Sequence, residues 1–129
     1  MYSPRRKQAM AKILIVDDSP FTRRLLGVVL KSGGHEVVGV AEDGKEAFEQ
    51  YKALRPDIVT LDWMMPSKSG EAVLKKIIQF HPYARAVMIT GWADESIEER
   101  VLKAGAKAFL QKSRVQHDLL PVIERVMES

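Results

Sequence analysis

Five polar residues stand at points in the sequence from which they could carry out chemistry together. Asp17 and Asp18, Asp62, Thr90 and Lys112 each come at the end of a short apolar run. Asp17 and Asp18 are adjacent, and two neighbouring carboxylates repel each other and raise each other's pKa. A positive partner is therefore expected close to them, namely a divalent metal ion aided by the Lys112 ammonium group.

The candidate metal ligands are all hard oxygen atoms, since no histidine or cysteine stands among them. Such ligands favour Mg²⁺, or Mn²⁺, over zinc. In proteins Mg²⁺ commonly takes one or two carboxylates together with a substrate phosphate, which indicates phosphoryl chemistry. In that chemistry the Asp62 carboxylate would attack phosphorus and form an aspartyl phosphate, while Lys112 and Thr90 would bind phosphoryl oxygens.

Each of these residues also has an ordinary structural explanation. An aspartate pair after a strand can be a polar loop that caps a helix, and Asp62 alone can be a turn former. A threonine such as Thr90 can simply end a strand, and a lysine such as Lys112 usually lies at the surface. The hypothesis of a site rests on the joint placement of these residues rather than on any one of them.

The elements that would position them follow from the wider pattern, in which five short apolar runs alternate with five segments of helical periodicity. This order predicts an α/β fold, a doubly wound five-stranded parallel sheet with five helices on its two faces. In such sheets ligands bind at the carboxyl ends of the strands, where the five polar residues would meet. The predicted strands cover residues 13–16, 36–40, 57–61, 85–89 and 107–110.

The first helix is predicted to begin with Ser19 as its N-cap and Pro20 at its first position. Its buried apolar stripe is predicted from the i, i+4, i+8 spacing to consist of Phe21, Leu25 and Val29. The fourth helix is predicted to be capped by Asp94. The three histidines are expected at the surface, away from the predicted site: His35, His81 and His117.

Length and composition restrict the class of protein. The 129 residues fit one domain, and the absence of cysteine excludes disulfides and thiolate metal sites. No apolar run approaches the ~18 residues of a membrane span. Of the net charge of +3, all is carried by Arg5, Arg6 and Lys7, so the remainder is neutral and offers no basic excess for nucleic acid. We expect residues 1–10 to form a basic, flexible leader and residues 11–129 to form the domain.

Four separate stretches resemble the motifs of response-regulator receiver domains of bacteria and archaea, of the single-domain chemotaxis type. They are "LIVDDS" at 14–19, "PDIVTLDWMMPSKSG" at 56–70, "VMITG" at 87–91 and "KAGAKAFLQK" at 103–112. The resemblance extends from about Lys12 to the end of the sequence. It implies a flavodoxin-like sheet with the strand order 2-1-3-4-5.

The resemblance also implies a role for each candidate residue in binding Mg²⁺. Asp62 would be the phosphoacceptor and a metal ligand. Asp18 would bind the metal directly, and Asp17 mainly through water. The backbone carbonyl of Met64 would complete the protein ligands.

The signalling roles are likewise implied by the resemblance. Thr90 would be the switch hydroxyl, Phe109 the aromatic switch and Lys112 the contact to the phosphoryl group. The chain would not be an enzyme but a phosphoacceptor that catalyses its own phosphorylation and dephosphorylation. The phosphoryl donor would be a histidine kinase or a phosphotransfer domain. A downstream protein would bind the surface of the fourth helix, fifth strand and fifth helix, and the chain would act as a cytoplasmic monomer without nucleic acid or membrane insertion.

Two departures from the family pattern stand beside the site. The family usually has Lys-Pro with a cis peptide where this chain has Lys112 and Ser113. A cis bond to a residue other than proline costs about 3–4 kcal/mol, so a trans bond is expected. The family usually has alanine where Gly91 stands, and here the bulky Trp92 follows it, with room to cover part of the site.

Three alternatives come from other classes of function. A degenerate receiver that signals by binding alone would not need the complete set of acidic residues and Lys112. A metal-dependent phosphatase with an aspartate nucleophile would want a second acid two residues after Asp62, where Met64 stands. A flavin carrier of similar topology would want a hydroxyl- and glycine-rich phosphate loop after the first strand, whereas "DDSPF" at 17–21 is acidic.

Overall fold

The structure, a computed structural model, describes residues 10–65, 69–91 and 94–129. Its five strands pair in parallel in the order β2-β1-β3-β4-β5, which confirms the predicted fold class and strand order. The strands are β1 (Lys12–Val16), β2 (Glu36–Ala41), β3 (Ile58–Asp62), β4 (Ala86–Thr90) and β5 (Ala108–Gln111).

Five α-helices connect or follow these strands. They are α1 (Pro20–Ser32), α2 (Gly44–Leu54), α3 (Gly70–Phe80), α4 (Glu95–Lys103) and α5 (Val115–Met127), with a short 3₁₀ turn at Lys112–Arg114. As predicted, Ser19 caps α1 by accepting a hydrogen bond from the Thr22 N–H (3.2 Å), and Asp94 caps α4. Within the described residues no helix is long and apolar enough to cross a membrane.

The core has two halves, one on each face of the sheet. Alternate residues of β1 face opposite sides, so Ile13 and Ile15 pack with α1 and α5, while Leu14 and Val16 pack with α2, α3 and α4. The central strand β3 is buried along its whole length, as expected for a strand covered by helices on both faces. Packing against helices on both faces holds in place the strand ends at which the site is built.

The predicted apolar stripe of α1 is wrong by one position. The buried residues of the helix are Thr22, Leu26 and Leu30, whereas Phe21 is 76% exposed. Leu25 and Val29 are half-buried at the edge of the same core. Phe21 falls on the outer side of the first turn, and the polar Thr22, which a search for apolar residues passes over, takes the inner position.

The prediction that all three histidines lie at the surface is wrong for His35. This residue is 5% exposed, and its Nδ1 accepts a hydrogen bond from the Ala11 N–H (3.0 Å). Burial lowers the pKa of the imidazole, while the negative charge of Glu124 acts in the opposite direction. His35 therefore closes the start of β1 as a neutral hydrogen-bond acceptor, a role that periodicity in the sequence does not reveal.

Several strand ends differ from the predicted ones by a single residue. β3, β4 and β5 each begin and end one residue later than expected, because the backbone pairing continues through Asp62 with Ile89 and through Thr90 with Gln111. The expected leader cannot be compared with the structure, since residues 1–9 lie outside the described residues. Met10 is half-exposed and Ala11 is buried at the start of the domain.

A pair of substitutions in α1 tests the corrected stripe. Leu26→Ala removes a fully buried side chain and should lower the free energy of unfolding by about 2–5 kcal/mol. Phe21→Ala, at an exposed position, should change it by less than ~0.5 kcal/mol. Urea unfolding of both variants gives the comparison, and equal losses would mean that Phe21 belongs to the core after all.

Candidate functional site

The carboxyl edge of the sheet brings together the residues singled out in the sequence. Asp17 follows β1, Asp62 ends β3, Thr90 ends β4 and Lys112 follows β5. The parallel register places Asp62 opposite Ile89, one residue before Thr90 on the neighbouring strand. The topology therefore gathers at one edge groups that are up to 95 residues apart in sequence.

Three carboxylates form a compact cluster at this edge. Asp17, Asp18 and Asp62 each offer an oxygen, and these oxygens lie within 4.8 Å of one another. Asp17 is 1% exposed and Asp62 is 5% exposed, whereas Asp18 is exposed. Octahedral Mg²⁺ bound at 2.0–2.1 Å holds opposite oxygens about 4.2 Å apart and adjacent ones about 2.9 Å apart, so the carboxylates would draw closer together around a bound ion.

Lys112 provides the positive charge that this cluster needs. Its Nζ lies 3.0 Å from Oδ2 of Asp17 and 3.5 Å from Oδ2 of Asp62. Burial acts to lower the pKa of Lys112, but the hydrogen bond to Asp17 and the charges of both aspartates prevail and raise it. The ammonium group thus stays charged and joins the ends of β1, β3 and β5.

The loop after β1 holds Asp17 firmly in place. The Asp17 N–H donates to the Ala41 carbonyl (3.0 Å), and its Oδ1 accepts from the Ser19 N–H (2.8 Å). The Arg23 guanidinium donates to the Asp17 carbonyl (2.8 Å). Ser19 thus caps α1 with its side chain and fixes the Asp17 carboxylate with its N–H. The structural and the functional explanation of "DDS" are therefore both correct for the same loop.

The surroundings of Asp62 perturb the pKa of its carboxyl group. Burial raises the pKa of its carboxyl group to about 6, and the charge of Asp17 acts in the same direction. Lys112 and the Met64 N–H, which donates to Oδ1 of Asp62 (3.3 Å), oppose the rise without cancelling it. The group therefore combines a buried position with a pKa below neutrality, as a carboxylate nucleophile requires.

Gly70 is a positioning residue that sequence reasoning did not single out. A Cβ at this position would collide with the Asp62 carbonyl oxygen and crowd the Met88 side chain. The Gly70 N–H also donates to the Trp63 carbonyl (2.8 Å), which seats the start of α3 against the end of β3. The signal in the sequence was a glycine at the start of the third helix, directly after Ser69, but only the close approach explains it.

The structure shows the backbone at Ser113 and Gly91, the two described positions that depart from the family pattern. The described peptide bonds are all trans, Lys112–Ser113 included, and the chain enters a 3₁₀ turn there. A Cβ on Gly91 would meet only the Lys112 side chain, at an ordinary 3.9 Å, so the alanine usual in the family would fit. Trp92, which we expected to cover part of the site, lies outside the described residues.

The remaining candidate residues surround the site. Thr90 is buried at 2% exposure, and Phe109 is half-buried against the core. Trp63 is half-buried, with the Arg100 guanidinium 5.9 Å from its ring. The Met64 side chain is 66% exposed at the rim, and the role of its carbonyl as a metal ligand stays a prediction.

The crowding of carboxylates predicts a stabilising substitution. A carboxyl group whose pKa is raised in the folded state destabilises the fold once it ionises, so the penalty grows between about pH 4 and pH 6 and is complete above it. In metal-free protein at pH 7.5, Asp62→Asn should therefore raise the free energy of unfolding, by up to about 3 kcal/mol. Near pH 4 the free energies of unfolding of Asp62→Asn and of the parent chain should no longer differ for this reason.

Urea unfolding in the presence of a chelator measures this difference. Glu49→Gln, which removes one negative charge from an exposed position on α2, is the matched control and should change stability little. If Asp62→Asn left stability at pH 7.5 equal to or below that of the parent chain, the carboxylates would not be repelling one another.

Known proteins resemble the chain in both sequence and structure. The sequence model of the family described as the response regulator receiver domain matches residues 13–124. Protein CcdB of Bacillus subtilis is 36% identical over 118 residues, which are 92% of this chain and 98% of that protein. The chemotaxis protein CheY of Thermotoga maritima is 40% identical over 101 residues, 78% of this chain and 84% of its own.

Among solved structures, a chain in the CheX–CheY–BeF₃–Mg²⁺ complex of Borrelia burgdorferi superposes with a TM-score of 0.86 at 37% identity, covering 89% of this chain and 87% of that one. Sequence and fold agree over nearly the whole length. The chain belongs to the family of response regulator receiver domains.

Proposed function

We propose that this chain is a signalling switch of a two-component system that accepts a phosphoryl group on Asp62. The observation that carries the proposal is the position of Asp62 at the end of β3, with Asp17 on one side and the Lys112 ammonium 3.5 Å from its carboxylate. The phosphoryl donor would be a histidine kinase or a phosphotransfer domain. The similarity to CheY proteins supports this assignment.

In the proposed reaction an oxygen of the Asp62 carboxylate attacks phosphorus. A new P–O bond forms as the bond from phosphorus to the donor breaks, and the donor keeps the electron pair. Lys112 would then leave its contact with Asp62 and bind a phosphoryl oxygen, while its contact with Asp17 keeps it in place. Bound Mg²⁺ would supply neutralising charge for the phosphoryl oxygens.

The assignment of metal ligands is part of the proposal. Asp18, the exposed member of the cluster, would bind the ion directly. Asp17 is buried and already engaged by Lys112 and the Ser19 N–H, so it would act mainly through water. Asp62 and the Met64 carbonyl would complete the protein ligands, and the presence of Mg²⁺ in the Borrelia complex supports the choice of metal.

We also propose that the chain catalyses its own phosphorylation and the later loss of the group. The support is that nucleophile, charge-stabilising lysine and metal-binding oxygens all belong to this one chain. A small phosphodonor would then suffice without a kinase. For hydrolysis, the exposed Met64 side chain leaves one side of the site open to water.

The conformational output would begin at Thr90 and Phe109. Thr90 would move toward the new phosphoryl group, and Phe109 would turn into the space that it leaves. Phe109 lines a groove of about 450 Å³ that α4, β5 and α5 enclose together with the turn at Arg114. A change at Phe109 would therefore alter the surface on which we place the downstream protein.

We expect the switch to work as a monomer in the cytoplasm, through protein–protein contact rather than contact with nucleic acid. The neutral charge of residues 11–129 and the absence of a membrane-spanning helix from the described residues fit this setting. The leader at residues 1–10 has no part in the proposed mechanism.

Mass spectrometry after treatment with acetyl phosphate tests the function. With Mg²⁺ present, the intact protein should gain the mass of one phosphoryl group. Asp62→Asn should gain none, because the nucleophile is gone. Asp18→Asn should need a much higher Mg²⁺ concentration, because the direct ligand is gone.

Asp118→Asn, which removes a carboxylate paired with Arg114 at the surface, is the control and should be phosphorylated like the parent chain. Equal phosphorylation of Asp62→Asn would place the acceptor elsewhere. A parent chain that takes up no phosphoryl group would favour the degenerate receiver instead.

Thr90→Ala should separate phosphorylation from switching. The variant should still gain one phosphoryl group, but the ring signals of Phe109 in NMR spectra should no longer shift when acetyl phosphate and Mg²⁺ are added. In the parent chain they should shift, while those of Phe80, at the far end of α3, should stay in place in both proteins. A full Phe109 response in Thr90→Ala would exclude Thr90 as the link.

A further inference from the structure

A second polar cavity lies at the opposite, amino-terminal edge of the sheet. It has a volume of about 210 Å³, and its lining includes Tyr51, Arg55, Asp57, His81 and Arg85. Asp57 and Asp62 stand at the two ends of β3, five residues apart, so the cavity is roughly 16 Å from the phosphorylation site. Nothing in the proposed phosphoryl transfer uses it.

The cavity contains two guanidinium groups, and neither forms an ion pair with an aspartate or glutamate side chain among the described residues. The side chain of Arg85 donates from Nη2 to the main-chain oxygen of Ser129 (3.3 Å), but its Nε is buried and has no hydrogen-bond partner in the described part of the chain. The Arg55 guanidinium lies 5.4 Å from the Phe80 ring, a cation–π contact that leaves its N–H donors available.

The hydroxyl of Tyr51 lies within reach of both charges. Tyr51 is 2% exposed, and its hydroxyl shares a hydrogen bond of 2.9 Å with Nδ1 of His81. Burial raises the pKa of Tyr51, and the charges of Arg55 and Arg85 both act against that rise. The phenol and the imidazole therefore line the same cavity as the two guanidiniums, and their shared hydrogen bond leaves the pair one free O–H or N–H group for a ligand.

The one carboxylate in the lining is already engaged in the fold. Asp57 accepts a hydrogen bond from the Lys12 N–H (2.8 Å) and donates its own N–H to the Lys12 carbonyl (2.8 Å), which ties β3 to β1. Neither arginine forms an ion pair with it. Among the side chains of the lining, two guanidiniums thus stand against one carboxylate.

Arg55 also occupies an unfavourable backbone conformation. It is the only residue other than glycine with positive φ in the described chain (φ 49°, ψ 58°), at the C-cap of α2. A glycine would adopt this conformation without the steric cost that a side chain incurs there. The strain is consistent with a side chain retained for what it binds.

We propose that this cavity binds a small oxyanion of the phosphate class, either inorganic phosphate or the phosphate group of a small monoester. Arginine presents N–H groups in a fork that matches phosphate oxygens, and the hydrogen-bonded pair of phenol and imidazole supplies one further neutral donor. One water molecule occupies about 30 Å³ of liquid, so the cavity has room for about seven, enough for a phosphate group and part of the molecule that carries it.

A titration of metal-free protein with inorganic phosphate at constant ionic strength tests this site. Backbone amide signals of Arg55, Asp57 and residues 83–85 should shift and saturate in ¹H–¹⁵N NMR spectra, while those around Asp62 should move little. A parallel titration with phenyl phosphate distinguishes the sources, since tighter binding of the monoester would assign its extra contacts to the exposed ring of Tyr83.

Two variants remove the cations separately. Arg55→Gly should keep the fold at least as stable as the parent chain, because it relieves the positive φ, yet it should weaken phosphate binding by at least ~10-fold. Arg85→Gln should weaken it by a similar factor. Lys45→Gln removes one positive charge from the exposed start of the same helix α2 and is the matched control, with unchanged affinity expected.

Binding of phosphate in this cavity does not require phosphorylation of Asp62, so Asp62→Asn should bind phosphate as the parent chain does. Shifts that grow linearly without saturation, or equal affinity in Arg55→Gly, Arg85→Gln and Lys45→Gln, would overturn the proposal.

Discussion

The ion pair between Lys112 and the buried carboxylates is the interaction on which the site depends. Asp17 and Asp62 are almost completely buried, and two such groups could not both ionise there without a compensating charge. Lys112 supplies it at 3.0 Å and 3.5 Å, and in doing so it connects the ends of three strands. With Asp18 included, the cluster still carries two excess negative charges, which are what a divalent cation would neutralise.

The sheet makes this arrangement possible because all its strands run in one direction. Their carboxyl ends collect the acidic cluster, and their amino ends collect the arginines of the distal cavity. The two edges therefore differ in the sign of their charge, although residues 11–129 are neutral in total. At the acidic edge the close approach of Gly70 to the Asp62 backbone adds a steric constraint, so the position of the nucleophile is set by packing as well as by charge.

Much of the fold and of the candidate site was predictable from the sequence, and the errors in the prediction have physical causes. The alternation of strands and helices, and the polar residues at strand ends, were sufficient to predict the fold and the membership of the acidic edge. The stripe of α1 was misplaced at Phe21 because the prediction followed apolar residues alone, whereas the polar Thr22 takes the buried position in the first turn. His35 was misjudged because a hydrogen bond to a main-chain N–H distant in sequence cannot be seen in a local pattern. The contact at Gly70 and the placement of Arg55 and Arg85 in one cavity could not be predicted either, since each depends on how two separate segments meet in three dimensions.

The most direct test of the account is the titration of the Asp62 carboxyl carbon by ¹³C NMR in metal-free protein. Because Asp17 is close by, the measured value belongs to the coupled cluster rather than to one isolated group. The structure predicts an apparent pKa of about 6, and it predicts that saturating Mg²⁺ lowers this value, since a bound cation favours the ionised carboxylate. An apparent pKa at the ordinary value of about 3.9 for aspartate, unchanged by Mg²⁺, would contradict the account of a crowded, metal-binding acidic cluster.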